Sequence, residues 1–479
     1  MEGEMLNRRA FTVWLWFLLC AFTASSFAAG PQADEARLKA AYRFTRAKWI
    51  YVHLEGSPAD MGYQHGYLLA PEIADGFAVV KSKNTYSAKR DWEFFRETAK
   101  TVLWPGIDPE YQQELQGIAD GLKARGVQMD VWDVVALNAM EEVADYYVPY
   151  LNSLQKAENA PTLLPPDKCS AFVATGSMTK DHKPVIAHSN WSDIATGSRW
   201  TIIFDMVPTH GYRMIQDGFP GIIVSDDDFG INSAGLMVTE TTITQFHGFD
   251  PKGKPEFSRA RKALQYASSI DEFVNIMLDG NNGGYANDWL LADNKTGEVA
   301  RLELGLKLHR VWRTKDGYFV GANFPSDPEF IKQETSFDPT NMGSSMNARH
   351  VRWDQLMNQY KGQIDVAMAQ KFLADHYDSY DKKEQPSERT LCGHGALSPR
   401  GAPEWGNPPY YPDAAVTGQA ADSMMAKNMS FTARAGYPCG ADFLAEPFLK
   451  EHPEFDYQKA ILQDMKGNPW AEFKAGEKQ

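Results

Sequence analysis

Two stretches of this chain, Lys168-Cys169-Ser170-Ala171-Phe172-Val173-Ala174-Thr175 and Val185-Ile186-Ala187-His188-Ser189-Asn190-Trp191, decide how the rest is read. Both are short apolar runs, and Gly176, Asp181 and Pro184 lie between them. The pattern predicts two adjacent strands joined by a turn over 176–183, which sets Cys169 beside residues 188–191. Just upstream, residues 154–168 hold three prolines and no usable period. They read as a linker, and Cys169 is the first residue of ordered structure after it. A cysteine in that place is positioned to become a chain terminus. Its freed α-amine titrates near neutrality and can act as base for its own thiol, with no separate histidine required.

The chain changes character on either side of the linker. Before it, a helix is expected over 35–48 and a strand over 49–54. A further helix follows, capped by Ser57 with Pro58 in its first turn and Asp60 completing a capping-box pattern. Gly62 and Gly66, four apart, share one face of that helix and admit close approach of another backbone. Helical periodicity returns at 110–123 and 131–144. After the linker, strands are expected at 171–175, 184–188, 200–207, 214–216, 221–224 and 235–243. Helices at 255–267 and 269–278 precede strands at 288–292, 299–304, 307–313 and 318–323. Runs of strands with helices gathered between them predict an α+β fold of antiparallel sheets covered by helices, not alternating βαβ units.

Composition bounds the function. With 48 Lys plus Arg against 62 Asp plus Glu, the formal charge of -14 repels phosphate backbones and excludes nucleic acid as a partner. Arg8 and Arg9 precede an apolar run at 11–22 and small residues at 26–28, so residues 1–29 read as a signal peptide. Export places the chain in a periplasm, a secreted medium or a lysosome-like lumen. The mature part keeps Cys169, Cys392 and Cys439, an odd number where disulfides are permitted. Cys392 and Cys439 both sit in glycine- and proline-rich sequence and are expected to pair, which leaves the Cys169 thiol free.

The residues 168–172 and 185–191, with the upstream Gly56-Ser57-Pro58 and Met61-Gly62-Tyr63-Gln64-His65-Gly66, resemble the Ntn hydrolases of the choloylglycine hydrolase, penicillin acyltransferase and phospholipase B-like group. Within that group the match to the phospholipase B-like family is closest. It rests on Ser225-Asp226-Asp227-Asp228-Phe229-Gly230, on Ser233-Ala234-Gly235-Leu236 and Glu240-Thr241-Thr242, and on Gly284-Tyr285-Ala286-Asn287-Asp288-Trp289. Gly230 stands where that family has tyrosine, and Asp288 where it has glutamine. The resemblance implies a four-layer αββα Ntn-hydrolase sandwich made as a precursor. It implies residues 30–168 as a pro-segment ending in the linker and 169–479 as the catalytic part, integrated with 30–153 into one domain. Cleavage between Lys168 and Cys169 would leave the two fragments associated. Cys169 is then the nucleophile, His188 and Asn190 contact its amine or thiol, and Asn287 supplies an oxyanion donor.

Trp191, Trp289 and Arg349 are the candidate substrate contacts. Core packing competes as a reading for the tryptophans and a structural ion pair for the arginine. Asp226, Asp227 and Asp228 read as solvated carboxylates, and neither metal nor cofactor is expected. The implied reaction is acyl release from phospholipids. A linear amide such as an N-acyl amino acid or peptide is the alternative small-molecule substrate, by hydrolysis or acyl transfer. A non-catalytic exported binding protein with an uncut chain is the reading from another class.

Overall fold

The protein is described from a computed structural model covering residues 35–155, 169–225 and 229–478. The expected signal peptide at 1–29, Lys168 with the linker residues from 156, and Asp226, Asp227 and Asp228 lie outside the described residues. Within them the chain is a mixture of helices and mainly antiparallel sheets. Nine strands form one sheet in the order Tyr42–Arg46, Trp49–Gly56, Ile202–Pro208, Met214–Gly218, Gly230–Asn232, Leu236–Thr242, Asn287–Asp293, Glu298–Leu304 and His309–Thr314. A six-stranded sheet runs Gly317–Gly321, Ser170–Thr175, Val185–Ser189, Thr417–Asp422, Ser430–Ala435 and Ala471–Lys474.

The expectation of antiparallel pairing has one exception, because Trp49–Gly56 runs parallel to Ile202–Pro208. A parallel pair needs a long crossover, and here the connection contains all the helices from Pro58–Leu68 to Val148–Leu154. Strands from both sides of the linker therefore share one sheet.

The helix expected over 35–48 is corrected. It stops after Glu35–Leu38, and Tyr42–Arg46 turns back on the next strand, with Tyr42 opposite His53 and Arg46 opposite Trp49. Ala47 and Lys48 take φ of 48° and 75°, the left-handed positions that a two-residue hairpin loop favours. The hairpin buries Phe44 against Tyr51, ring centroids 4.7 Å apart, a gain that an isolated helix at this edge would forgo. Residues 221–224 are likewise a turn and not a strand. Their apolar character comes from Ile222, Ile223 and Val224 entering the core.

Three apolar clusters account for most of the packing. Val173, Ile186, Phe431 and Phe473 of the smaller sheet meet Tyr51, Ile203, Met237 and Leu290 of the larger one. The other side of the nine-stranded sheet, through Val52, Phe204, Trp289 and Leu302, packs with Ile118 and Val135 of the N-terminal helices and with Phe273. Phe172, Ala187 and Ala420 of the smaller sheet pack with Trp353 and Phe372 of the helices Ser345–Gln359 and Val366–Leu373.

The paired glycines behave as their spacing predicts. Ser57 caps Pro58–Leu68 through its Oγ, which accepts from the Asp60 N–H at 3.2 Å. This helix then lies backbone to backbone against Pro109–Ala124. A Cβ on Gly62 would stand 2.0 Å from the Glu114 carbonyl oxygen, and one on Gly66 2.1 Å from that of Ile118. Gly117 and Gly121 reciprocate against Ala59 and Tyr63. Gly→Ala in a helix ordinarily stabilises by about 1 kcal/mol, but here the added methyl meets unyielding backbone. Gly66→Ala is expected to destabilise by about 3 kcal/mol, read as a lowered urea midpoint at unchanged slope.

Candidate active site

The hairpin formed by Ser170–Thr175 and Val185–Ser189 has Ser170 opposite Ser189 and Ala171 opposite His188. The register brings Cys169 to His188, as expected from the sequence. The Cys169 sulfur, a ring nitrogen of His188 and a carboxylate oxygen of Glu240 lie within 4.8 Å of one another, and all three residues are buried. Glu240 comes from Leu236–Thr242 of the other sheet. Sequence reasoning quotes it inside a motif but assigns it no role. The available signal was its place as the one ionisable residue in the strand Leu-Met-Val-Thr-Glu-Thr-Thr, buried along its whole length.

His188 is oriented by a chain of polar groups that no sequence spacing reveals. Its Nδ1 faces Gln419 Oε1 at 3.4 Å, and Gln419 Nε2 donates to Asp217 at 2.5 Å. The other Asp217 oxygen accepts from the Ser225 hydroxyl at 2.9 Å. Because a carboxylate only accepts, the Gln419 amide must turn its nitrogen to Asp217 and its oxygen to His188. Nδ1 then carries the proton, and Nε2 keeps the lone pair.

Arg349, on Ser345–Gln359, is fully buried and commits every donor to protein atoms. Its Nη1 donates to the Cys169 carbonyl oxygen at 2.6 Å and to Ser170 Oγ at 3.1 Å. Nη2 donates to Asn323 Oδ1 at 2.9 Å and to the Ala322 carbonyl at 3.3 Å, and Nε to Ser345 Oγ at 3.0 Å. The guanidinium lies over the rings of Trp191, at 5.2 Å, and Trp405, at 5.7 Å. Burial lowers its pKa to about 9, while Cys169 and Glu404 favour the charged form. The structure thus places Arg349 as the clamp on the first peptide of the Cys169 strand, where the sequence reading has it contacting substrate. Trp191 is packed beneath that clamp. Trp289 lies directly opposite Glu240 on the neighbouring strand and packs edge-on against Phe273 at 5.3 Å in the helix-facing core.

Asn190 and Asn287 are placed differently from ordinary turn residues. Among the described residues, Nδ2 of Asn190 and both Nδ2 and Oδ1 of Asn287 are buried without a hydrogen-bond partner. Leaving such groups unmet costs about 1–3 kcal/mol each and calls for an explanation. Asn287 is joined to the surroundings of Cys169 by pairing. It lies opposite Thr242, whose carbonyl accepts from Asn323 Nδ2 at 2.8 Å, and Asn323 is held by the same guanidinium that grips Cys169. Tyr285 and Asn323 at this rim take φ of 52° and 66°. For tyrosine that conformation costs roughly 1–3 kcal/mol.

Next to Asn287, a buried guanidinium is shared by two carboxylates. Arg301 donates to Asp288 at 2.9 and 2.6 Å, and lies 3.5 Å from Glu303. Burial, then the Asp288 charge, push the Glu303 pKa up to about 8. A carboxyl raised in the folded state binds its proton more tightly there than in the unfolded chain. Its stabilisation is complete below the unfolded value near 4.3 and is lost as pH rises through about 8. Stability is therefore expected to fall by a few kcal/mol between pH 5 and 8.5, and Glu303→Gln to flatten that slope. Urea midpoints at the two pH values check it.

The Cys392 and Cys439 sulfurs, read from the sequence as a disulfide pair, are brought close together but are not bonded to each other in this structure. They lie in a cluster with His376 and His394.

Among the described residues, no helix is long and apolar enough to cross a membrane. Comparison with known proteins gives one family model, phospholipase B, matching residues 75–305. The chain is 26% identical over 51% of its length to an uncharacterised protein of Archaeoglobus fulgidus, covering 41% of that protein. It is 28% identical over 40% of its length to putative phospholipase B-like 3 of Caenorhabditis elegans, covering 36% of it. It is also 25% identical, over 51% of its length, to the 40 kDa form of an acyl-coenzyme A:6-aminopenicillanic-acid-acyltransferase of Emericella nidulans, covering 60% of that protein. The matched region thus spans less than half of the first two relatives. Residues 75–305 of the chain are thus similar to the phospholipase B family.

Proposed function

We propose that this chain is the exported precursor of an Ntn hydrolase with Cys169 as nucleophile, folded as the αββα sandwich, and that the mature enzyme removes acyl groups from phospholipids. The observation that carries the reading is the meeting of the Cys169 sulfur with His188 and Glu240, with the unpaired buried amide of Asn287 on the strand next to that of Glu240. The helix–sheet and sheet–sheet clusters are what such a sandwich requires, and a sheet shared across the linker would keep two cleaved fragments together.

Activation comes first. While the Lys168–Cys169 peptide is intact the Cys169 nitrogen is an amide, not a base. His188, with Glu240 to stabilise its cation, is the group that takes the thiol proton. The sulfur attacks the Lys168 carbonyl carbon, the C–N bond breaks, and the nitrogen leaves as an amine. Water then hydrolyses the thioester, which leaves a Lys168 carboxylate and a free Cys169 amine. In turnover that amine takes the thiol proton, and the sulfur attacks the substrate's acyl carbon. Asn287 Nδ2 receives the developing oxyanion, the alcohol departs with the proton, and water releases the fatty acid from the thioester. A cleft of about 360 Å³ lined by Trp405, Tyr86, Pro408, Tyr411 and Ile461, with the Lys83–Asp193 ion pair in its wall, would take an acyl chain with a polar group.

The acyltransferase relative, matched over 60% of its length, favours a second reading, in which the same residues act on a linear amide or pass the acyl group to an amine. Asn287→Ala is expected to cut turnover by about 10²–10³-fold on either substrate class, measured as kcat on the processed enzyme. The deciding experiment is intact mass with N-terminal sequencing of the purified protein. A fragment beginning Cys169-Ser170-Ala171 supports the reading, and a single chain still uncut after prolonged incubation refutes it.

A further inference from the structure

We propose that His376, Cys392, His394 and Cys439 form a four-ligand zinc site that holds the C-terminal segment against the wall of the candidate active site. Their four ligand atoms all lie within 4.8 Å of one another, though they come from three separate loops. His394 Nε2 is 3.1 Å from His376 Nε2, 3.5 Å from Cys392 Sγ and 3.6 Å from Cys439 Sγ. A ring nitrogen has one in-plane lone pair or proton and cannot bond three partners at once. A metal ion at the centre resolves the conflict, because every atom then points to it. Tetrahedral zinc, with Zn–S near 2.3 Å and Zn–N near 2.0–2.1 Å, requires nitrogen–nitrogen edges of about 3.3 Å and nitrogen–sulfur edges of about 3.5 Å. The three edges that meet at His394 Nε2 match these within a few tenths of an ångström.

The chemistry of the donors selects the ion. Two thiolates and two imidazoles in a closed set of four suit structural zinc better than calcium or magnesium, which take oxygen ligands. The surroundings are those of a held site. The His394 ring stacks on Tyr437 at 3.9 Å, the Ala441 N–H points to Cys439 Sγ at 3.5 Å, and the Cys392 N–H donates to the Asp375 carbonyl at 3.0 Å. Cys392 and His394 are buried while His376 and Cys439 are part-exposed, which leaves an entry path.

The site is coupled to the active-site wall through Gly393, between two of the ligands. A Cβ there would stand 2.3 Å from the Trp191 ring, and the Gly393 carbonyl accepts from the Ala415 N–H at 3.0 Å. Trp191 is the ring under the Arg349 clamp. Zinc therefore acts as a positioning group, away from the reacting atoms.

The test is metal analysis of the full-length protein purified without chelator, followed by cobalt substitution. About one zinc per chain is expected. The cobalt form should give the intense visible bands of a tetrahedral ion and near-ultraviolet thiolate charge transfer. Both should be lost in His376→Ala and in Cys439→Ser, whose altered residues are part-exposed, and both should persist in Cys169→Ala. That last arm separates this proposal from the proposed nucleophile. Chelation should lower the thermal midpoint of the wild type and leave Cys392 and Cys439 open to alkylation. A metal-free protein lighter by two hydrogens, with these cysteines alkylated only after reduction, would overturn the proposal in favour of a disulfide. Zinc retained in both ligand variants, or lost with Cys169, would also overturn it.

Discussion

Cys169→Ala is expected to leave the chain uncut and to reduce turnover by about 10⁴–10⁶-fold, the loss usual when a covalent nucleophile is removed. The substitution deletes one sulfur from a residue that is 1% exposed, and its strand remains paired with Val185–Ser189. Folding should therefore survive, with a cost of about 1 kcal/mol for the lost packing. Two readouts separate chemistry from stability. Intact mass reports whether the Lys168–Cys169 bond breaks. Turnover on a phospholipid and on an N-acyl amide reports whether any other group attacks the acyl carbon. Cys169→Ser keeps a nucleophilic atom of weaker acidity and should cleave slowly where alanine does not cleave at all. An alanine variant with turnover within tenfold of wild type would end the case for Cys169.

Arg349→Met is expected to destabilise the protein by about 3–5 kcal/mol, the largest stability effect at the site. The guanidinium satisfies five acceptors in a fully buried place, so its removal takes a charged donor from the Cys169 carbonyl, Asn323 and Ser345 together. Arg349→Lys is the informative companion. Lysine keeps the charge but not the planar fork, so one ammonium cannot span the Cys169 carbonyl and Asn323 at once. This variant should fold and yet process about 10²-fold more slowly, because the residue whose sulfur attacks is no longer held in place through its own carbonyl. Denaturant midpoints and processing half-times, measured side by side, check both statements. If Arg349→Lys processes at the wild-type rate, the clamp is structural only.

The lysine arm also bears on where the proton goes. Before cleavage the proposed base is His188, and its tautomer is set by Gln419 and Asp217. Those residues stand 231 and 29 positions from it in the chain. Nothing in the alternation of 185–191 points to them.

What was legible in the sequence and what was not divides along one physical line. The hairpin that carries Cys169 to His188, the Ser57 cap and the close-packed Gly62 and Gly66 face were readable because each depends on residues a few positions apart, through strand alternation, a side chain bonding its own helix, or a helical repeat. The stretch over 35–48 was misread for the same reason in reverse. Its local period favoured a helix, and a partner strand outweighed it. Arg349 reads in the sequence as a substrate contact or a structural ion pair, because only the tertiary fold turns its fork toward the Cys169 carbonyl. Glu240, Gln419 and Asp217 carry no local signal of a role, since each is one polar residue among others in its strand. Cys392 and Cys439 were paired by counting, whereas folding brings two histidines to them. The chain's local pattern by itself determined the setting of Cys169 and the kinds of element around it. Only the tertiary structure decided which buried polar groups meet, because burial raises the cost of an unmet donor or acceptor and so selects partners by proximity in space, regardless of separation along the chain.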